Sequence, residues 1–185
     1  MKSLLIAVLI GLSSSLSAQQ TTLKQDSSFS MALKQRALRS IGKPFPSFTA
    51  TWQNENFTNK NLDGKIVFIN FWFASCAPCI AEMDALNELY DSLKHNNRFE
   101  FISFTYEKQA KIDEVAKEHR MQYKIVSISF EDCYRLNQNN GFPASIILDD
   151  KGIITYLKLT ASTNKEEARK AVFEEFFPKL KAMLQ

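Results

Sequence analysis

The chain has 185 residues, 45% of them hydrophobic and 23% charged, with three cysteines and 23 Lys+Arg against 20 Asp+Glu. A formal net charge of only +3 offers no basic face for nucleic acid, which is excluded as a partner. Three cysteines are too few for a disulfide-stapled miniature, so the length points to one domain with a hydrophobic core of its own.

Residues 1–18, "MKSLLIAVLIGLSSSLSA", carry an early positive charge at Lys2, an apolar run from Leu4 to Leu12 and small residues up to Ala18. That is the layout of a secretory signal peptide, and the apolar run falls short of the ~20 residues that span a bilayer. The mature protein is therefore expected to be exported, periplasmic or in the cell envelope, with a membrane tether if the segment stays uncleaved. Export places the cysteines in an oxidising compartment.

Residues 19–40 read as a flexible or partly helical lead-in: 19–30 are polar and aperiodic, and 31–40 suit a short surface helix. Pro44 and Pro46 then force an extended approach to a domain spanning 41–185.

The run "KIVFINFWF" (65–73) is apolar throughout and rich in β-branched and aromatic residues, as a central strand buried on both faces requires. Helical spacing follows, with Ile80, Met83, Leu86, Leu89 or Tyr90, and Leu93 on one face and Glu82, Asp84, Glu88 and Asp91 largely off it. "RFEFISFTY" (98–106) is a second strand, and the next helix has Ile112, Val115, Ala116 and His119 on one stripe. "YKIVSISF" (123–130) is a third strand, and "EDCYRLNQNNG" a short helix or turn running into a loop. Residues 144–159 read as two strands around Asp150-Lys151-Gly152, where Gly allows the positive φ of a hairpin turn. Thr163 and Glu166 suggest a capping box for a last helix that Pro178 should kink or restart. The order predicts an α/β sandwich with a mixed central sheet.

The chemistry centres on "SCAPC", where strand gives way to helix. Pro78 suits a first helical turn, which leaves Cys76 at or near the N-cap, facing unsatisfied N–H groups and the positive end of the helix dipole. Such a setting lowers a cysteine pKa from about 8.5 to about 3.5–7.5. Cys79, one turn on, is close enough for a disulfide and less exposed. Cys76 is thus the expected attacking thiolate and Cys79 the resolving thiol. Three alternatives stand beside this one: a zinc site drawing on Cys133, His95 and His119, a static structural disulfide, and a peroxide-reducing cysteine.

"NFWFASCAPC" and "GFPASIILDDKG" together resemble the signatures of the thioredoxin-like superfamily, and within it the exported TlpA/ResA-type thiol-disulfide oxidoreductases. Asn70, Phe71, Trp72, Cys76, Pro78 and Cys79 match the first motif; Gly141, Pro143, Asp149 and Gly152 match the second. The resemblance implies a thioredoxin-like sandwich with helices on both faces of the sheet. It also implies a redox-active Cys76–Cys79 disulfide and a cis-Pro143 lying against it, with the backbone of Phe142 available to an extended substrate. Trp72, Ala77, Pro78 and Phe142 are the substrate-binding residues on this reading, Trp72 as the aromatic behind the active-site turn, with plain core as its alternative. Glu82 matches an acidic residue of the ResA-type proteins and would pass the proton of the resolving thiol, since Asn70 stands where thioredoxins carry a titratable Asp.

The implied partners are protein dithiols or disulfides, apocytochrome c or other exported proteins among them, and an upstream electron donor. No cofactor and no metal is called for. Two departures from the pattern stand out: Phe142-Pro143-Ala144-Ser145 has a bulky aromatic before the proline, and Cys133 is additional, expected as a buried inert thiol with a second redox partner as the sharper alternative.

Overall fold

A computed structural model describes residues 31–32, 34–159 and 162–185. The expected signal segment 1–18 and the expected lead-in up to residue 30 lie outside the described residues. Two compact units divide at residue 36: positions 31–32 and 34–36 of the first are helical, and the second, Ala37–Gln185, carries the domain.

The domain opens with a hairpin absent from the sequence expectations, β1 (Thr49–Trp52) paired antiparallel with β2 (Glu55–Thr58). Its turn residues Gln53 and Asn54 have φ of 51° and 66°, the left-handed pair that a two-residue hairpin turn demands and that Asn tolerates well. A 3₁₀ turn, Asn59–Leu62, leads to β3 (Ile66–Trp72), every residue of which is buried.

After β3 come α1 (Ala77–Leu93), β4 (Phe99–Thr105), α2 (Gln109–Glu118) and β5 (Lys124–Ser127). They are followed by α3 (Phe130–Leu136), β6 (Ala144–Leu148) and β7 (Ile154–Leu159). The chain ends in α4 (Lys165–Lys170), a π-helical stretch Ala171–Phe176, and α5 (Phe177–Leu184) with Pro178 in its first turn.

Two expected boundaries move. β5 stops at Ser127 because the Ser129 hydroxyl accepts the Asp132 N–H and caps α3, drawing Phe130 into the helix. The last helix is capped by Asn164 rather than Thr163: its side-chain oxygen accepts the N–H of Glu166 at 2.9 Å and of Glu167 at 3.1 Å.

The five-stranded sheet has the order β5-β4-β3-β6-β7. β3 runs parallel to β4 and β4 to β5, whereas β6 is antiparallel to both β3 and β7. Gly152, with φ of 73°, lets the β6–β7 turn close, and Asp149 Oδ1 accepts the N–H of Lys151 and Ile153 across it.

The alternation of strand side chains divides the core in two. Val67, Ile69 and Phe71 pack with Ile102, Phe104, Ile146 and Leu148 under the arm that carries Phe45, Phe48 and Phe57. Ile66 and Phe68 pack on the other face with Leu86 and Leu89 of α1, Val172 and Phe176 of the π stretch and Leu180 of α5. Phe68 meets Phe101 and Phe176 edge to face at centroid distances of 4.8 and 5.3 Å, pairings each worth about 0.5–1.5 kcal/mol beyond area burial. Asn70 breaks this apolar pattern. Its cross-strand neighbours are Ser103 on β4 and Ser145 on β6, so one polar row crosses the three central strands. Among the described residues no helix is long and apolar enough to cross a membrane.

Candidate active site

β3 ends at Trp72, and the chain turns within four residues into α1, the Cys76 N–H donating to the Phe73 carbonyl at 3.1 Å. Cys76 is the N-cap, its backbone extended, with Pro78 in the first helical turn. Its Sγ accepts the Cys79 N–H at 3.3 Å. The helix therefore directs one of its unpaired N-terminal donors at this sulfur. The two cysteines are joined as a disulfide with a Cα–Cα distance of 5.2 Å. Cys76 is 4% and Cys79 1% exposed. Both pack with Trp72, Met83 and Val115, and Phe142 lies against the same cluster.

Glu82, off the main apolar stripe of α1, is nevertheless 1% exposed. Its Oε1 accepts from Asn70 Nδ2 at 2.8 Å, and the same amide donates to Ser145 Oγ at 3.1 Å. The polar row of the sheet thus supplies the pairing that a buried carboxylate requires. Tyr123 stands within electrostatic reach; burial, and after it the Glu82 charge, push its hydroxyl well above the usual range.

The Phe142–Pro143 peptide is cis. Pro143 is buried, Phe142 and Pro78 are half-buried, and Ala77 is exposed. Trp72, expected behind the active-site turn or as plain core, has no exposed area and packs with the two cysteines from within the core. Phe142 belongs to a rim of rings: it meets Phe73 at 5.3 Å, Tyr134 at 5.4 Å and Tyr106 at 5.8 Å. Phe130 extends the rim and is 49% exposed.

Cys133 is free and fully buried, and burial, with the Asp132 charge second, pushes its thiol up to about 12. No cluster of three or more His, Cys, Asp or Glu among the described residues is arranged to hold a metal ion. Sequence reasoning passed over Tyr106 and Glu107, which follow β4 and reach the loop before Cys76: Tyr106 stacks on Phe73 at 5.6 Å, and Glu107 Oε1 accepts the Ala74 N–H at 2.7 Å. The signal was indirect, since only the pairing of Trp72 with Thr105 brings these two loops side by side.

This sheet order, with a CxxC disulfide at the head of the helix that follows its central strand, makes the molecule a thiol-disulfide oxidoreductase of thioredoxin fold. The chain belongs to the AhpC/TSA family, whose profile matches residues 41–157. It is 28% identical over 129 residues to the thiol-disulfide oxidoreductase ResA of Bacillus cereus, covering 69% of this chain and 73% of that one. Among solved structures it is similar to a candidate protein disulfide isomerase from Bacteroides thetaiotaomicron, with a TM-score of 0.66, 25% identity, and coverage of 78% of this chain and 89% of the other. It shares its fold with the thioredoxin domain of a thiol-disulfide oxidoreductase from Bacteroides vulgatus, at a TM-score of 0.59, 21% identity, and coverage of 72% and 96%.

Proposed function

We propose that the protein is exported and reduces disulfides of other exported proteins by cycling Cys76 and Cys79 between dithiol and disulfide. The observation that carries this reading is the N–H of Cys79 directed at Cys76 Sγ from the head of α1, which would stabilise a Cys76 thiolate once the pair is reduced. Cys76 attacks one sulfur of the substrate disulfide; a Cys76–substrate bond forms and the other substrate sulfur leaves as thiolate. Glu82 takes the Cys79 proton, and Cys79 then attacks Cys76 Sγ, closing the Cys76–Cys79 bond and releasing the second substrate thiol. Two electrons have passed to the substrate, and an upstream dithiol donor must return them.

The buried Glu82, three residues past Cys79 on α1, supports the reducing direction: its carboxylate opposes a thiolate on the resolving sulfur, which weakens the reduced form and favours giving its electrons away. Phe142 lines the approach to the sulfurs, and its backbone, freed by the following proline, is placed to pair with an extended substrate segment. The leader at residues 1–18 supports export into a compartment where such a reductant has disulfides to act on.

The test is insulin disulfide reduction by the wild type together with trapping by Cys79→Ser. Turnover by the wild type and a mixed disulfide on Cys76 in the variant are expected. No turnover would make the pair a static staple, and a substrate adduct on Cys133, or on no cysteine, would overturn the assignment of roles. Peroxide consumption that depends on Cys76 would move the protein to the peroxidase side.

A further inference from the structure

The loop that carries Cys76 is gripped from the neighbouring strand by two consecutive residues. β3 and β4 are parallel with Trp72 opposite Thr105, so Phe73 and Ala74 leave the sheet beside Tyr106 and Glu107. Phe73 stacks on Tyr106 with an interplanar angle of 25°. The Ala74 N–H, two residues before the attacking cysteine, donates to Glu107 Oε1 at 2.7 Å, a charge-assisted bond at the short end of its range. The backbone of Glu107 is itself fixed on both sides: its N–H donates to Thr105 Oγ1 at 3.3 Å, and its carbonyl accepts from Ser127 Oγ at 2.8 Å. Glu107 thus presents its carboxylate to the loop from a backbone anchored on both sides. The loop closes on it through the Cys76 N–H bond to the Phe73 carbonyl, which places Cys76 at the head of α1.

We infer that Glu107 is a positioning residue of the dithiol centre, its carboxylate holding the Phe73–Cys76 turn in place by accepting the Ala74 N–H. Without that acceptor the Ala74 amide is left to solvent and the turn loosens. Cys76 Sγ then loses its fixed relation to the helix N-terminus and to Cys79. The functional consequence rests on the reading of Cys76 as the attacking sulfur; the geometric claim stands apart from it.

The experiment compares Glu107→Ala with Glu107→Gln, whose side-chain oxygen still accepts. Amide hydrogen exchange at Ala74 is read by NMR on the oxidised protein, and insulin reduction on the reduced protein. In Glu107→Ala the Ala74 amide exchanges at least about tenfold faster and turnover falls about tenfold, the scale of one lost charge-assisted bond. Glu107→Gln recovers most of both losses. Unchanged exchange at Ala74 in Glu107→Ala overturns the inference, as do equal losses in the two variants, which would assign the effect to charge or folding. If the wild type fails to reduce insulin, the functional reading falls while the exchange comparison still decides the role of Glu107.

Discussion

Asn70 donates to the buried Glu82 carboxylate at 2.8 Å, joining the centre of the sheet to the helix face that carries Cys79. The amide cannot titrate, but it fixes the carboxylate proposed to take the proton of the resolving thiol. Glu82→Gln keeps the acceptor oxygen for Asn70 and removes the proton site. Attack by Cys76 should then survive, while release of the mixed disulfide slows by about 100-fold, the lower range for loss of a general base. Stopped-flow mixing with a fluorogenic disulfide separates the two phases; equal slowing of both would remove Glu82 from the proton path. Asn70→Ala should cost about 1–3 kcal/mol in urea unfolding, because it takes a hydrogen-bond donor from a buried carboxylate.

Phe142 packs against the cluster that holds the disulfide, and its ring meets Phe73, Tyr106 and Tyr134. With Cys76 only 4% exposed and Phe142 packed against its cluster, this ring is expected to limit access to the attacking sulfur. Phe142→Ala should speed alkylation of reduced Cys76 by a small iodoacetamide by about threefold to tenfold, by analogy with the access control of thiol exchange. A rate unchanged from wild type would show that the ring does not gate access.

Cys133 gives a pH signature. Its folded value is raised from 9.0 to about 12, chiefly by burial, so the folded chain keeps a proton that the unfolded chain releases in that window. The contribution is fully present below about pH 9 and is lost toward pH 12, at about 1.4 kcal/mol per unit. Urea unfolding of the oxidised protein between pH 8 and 10.5 (roughly the practical range) should show this loss in the wild type but not in Cys133→Ala, the difference between the two isolating the thiol. The native thiol should also resist alkylation until the protein is denatured.

Asn164, and not Thr163, holds the first turn of α4. Asn164→Ala should cost about 1 kcal/mol and Thr163→Ala much less. Thermal unfolding of the two variants reads the difference, and equal losses would contradict the cap.

The strand and helix order was legible because β3, α1 and β4 state their periods plainly in apolar residues, and because "SCAPC" marks the strand-to-helix switch by its proline. The hairpin β1–β2 was not, since its strands are four residues each and mostly exposed on one side; only Asn54 hinted at the turn. Glu82 was named from its match to the acidic residue of the ResA-type proteins, yet its burial goes with Asn70 and Ser145, which lie 12 and 63 residues away in sequence and meet only through the register of β3 with β6. For Trp72 the motif left a place behind the active-site turn and plain core side by side, because motif position says nothing about which side of the sheet closes over it. Glu107 carries no motif at all, and its reach to Ala74 exists only once β3 and β4 are aligned.

The reduction potential of the Cys76–Cys79 pair tests the central claim most directly. Equilibration with defined dithiol buffers should place it near about −270 mV, where a protein gives electrons to disulfides; a value near about −120 mV would make it an oxidant and contradict the account.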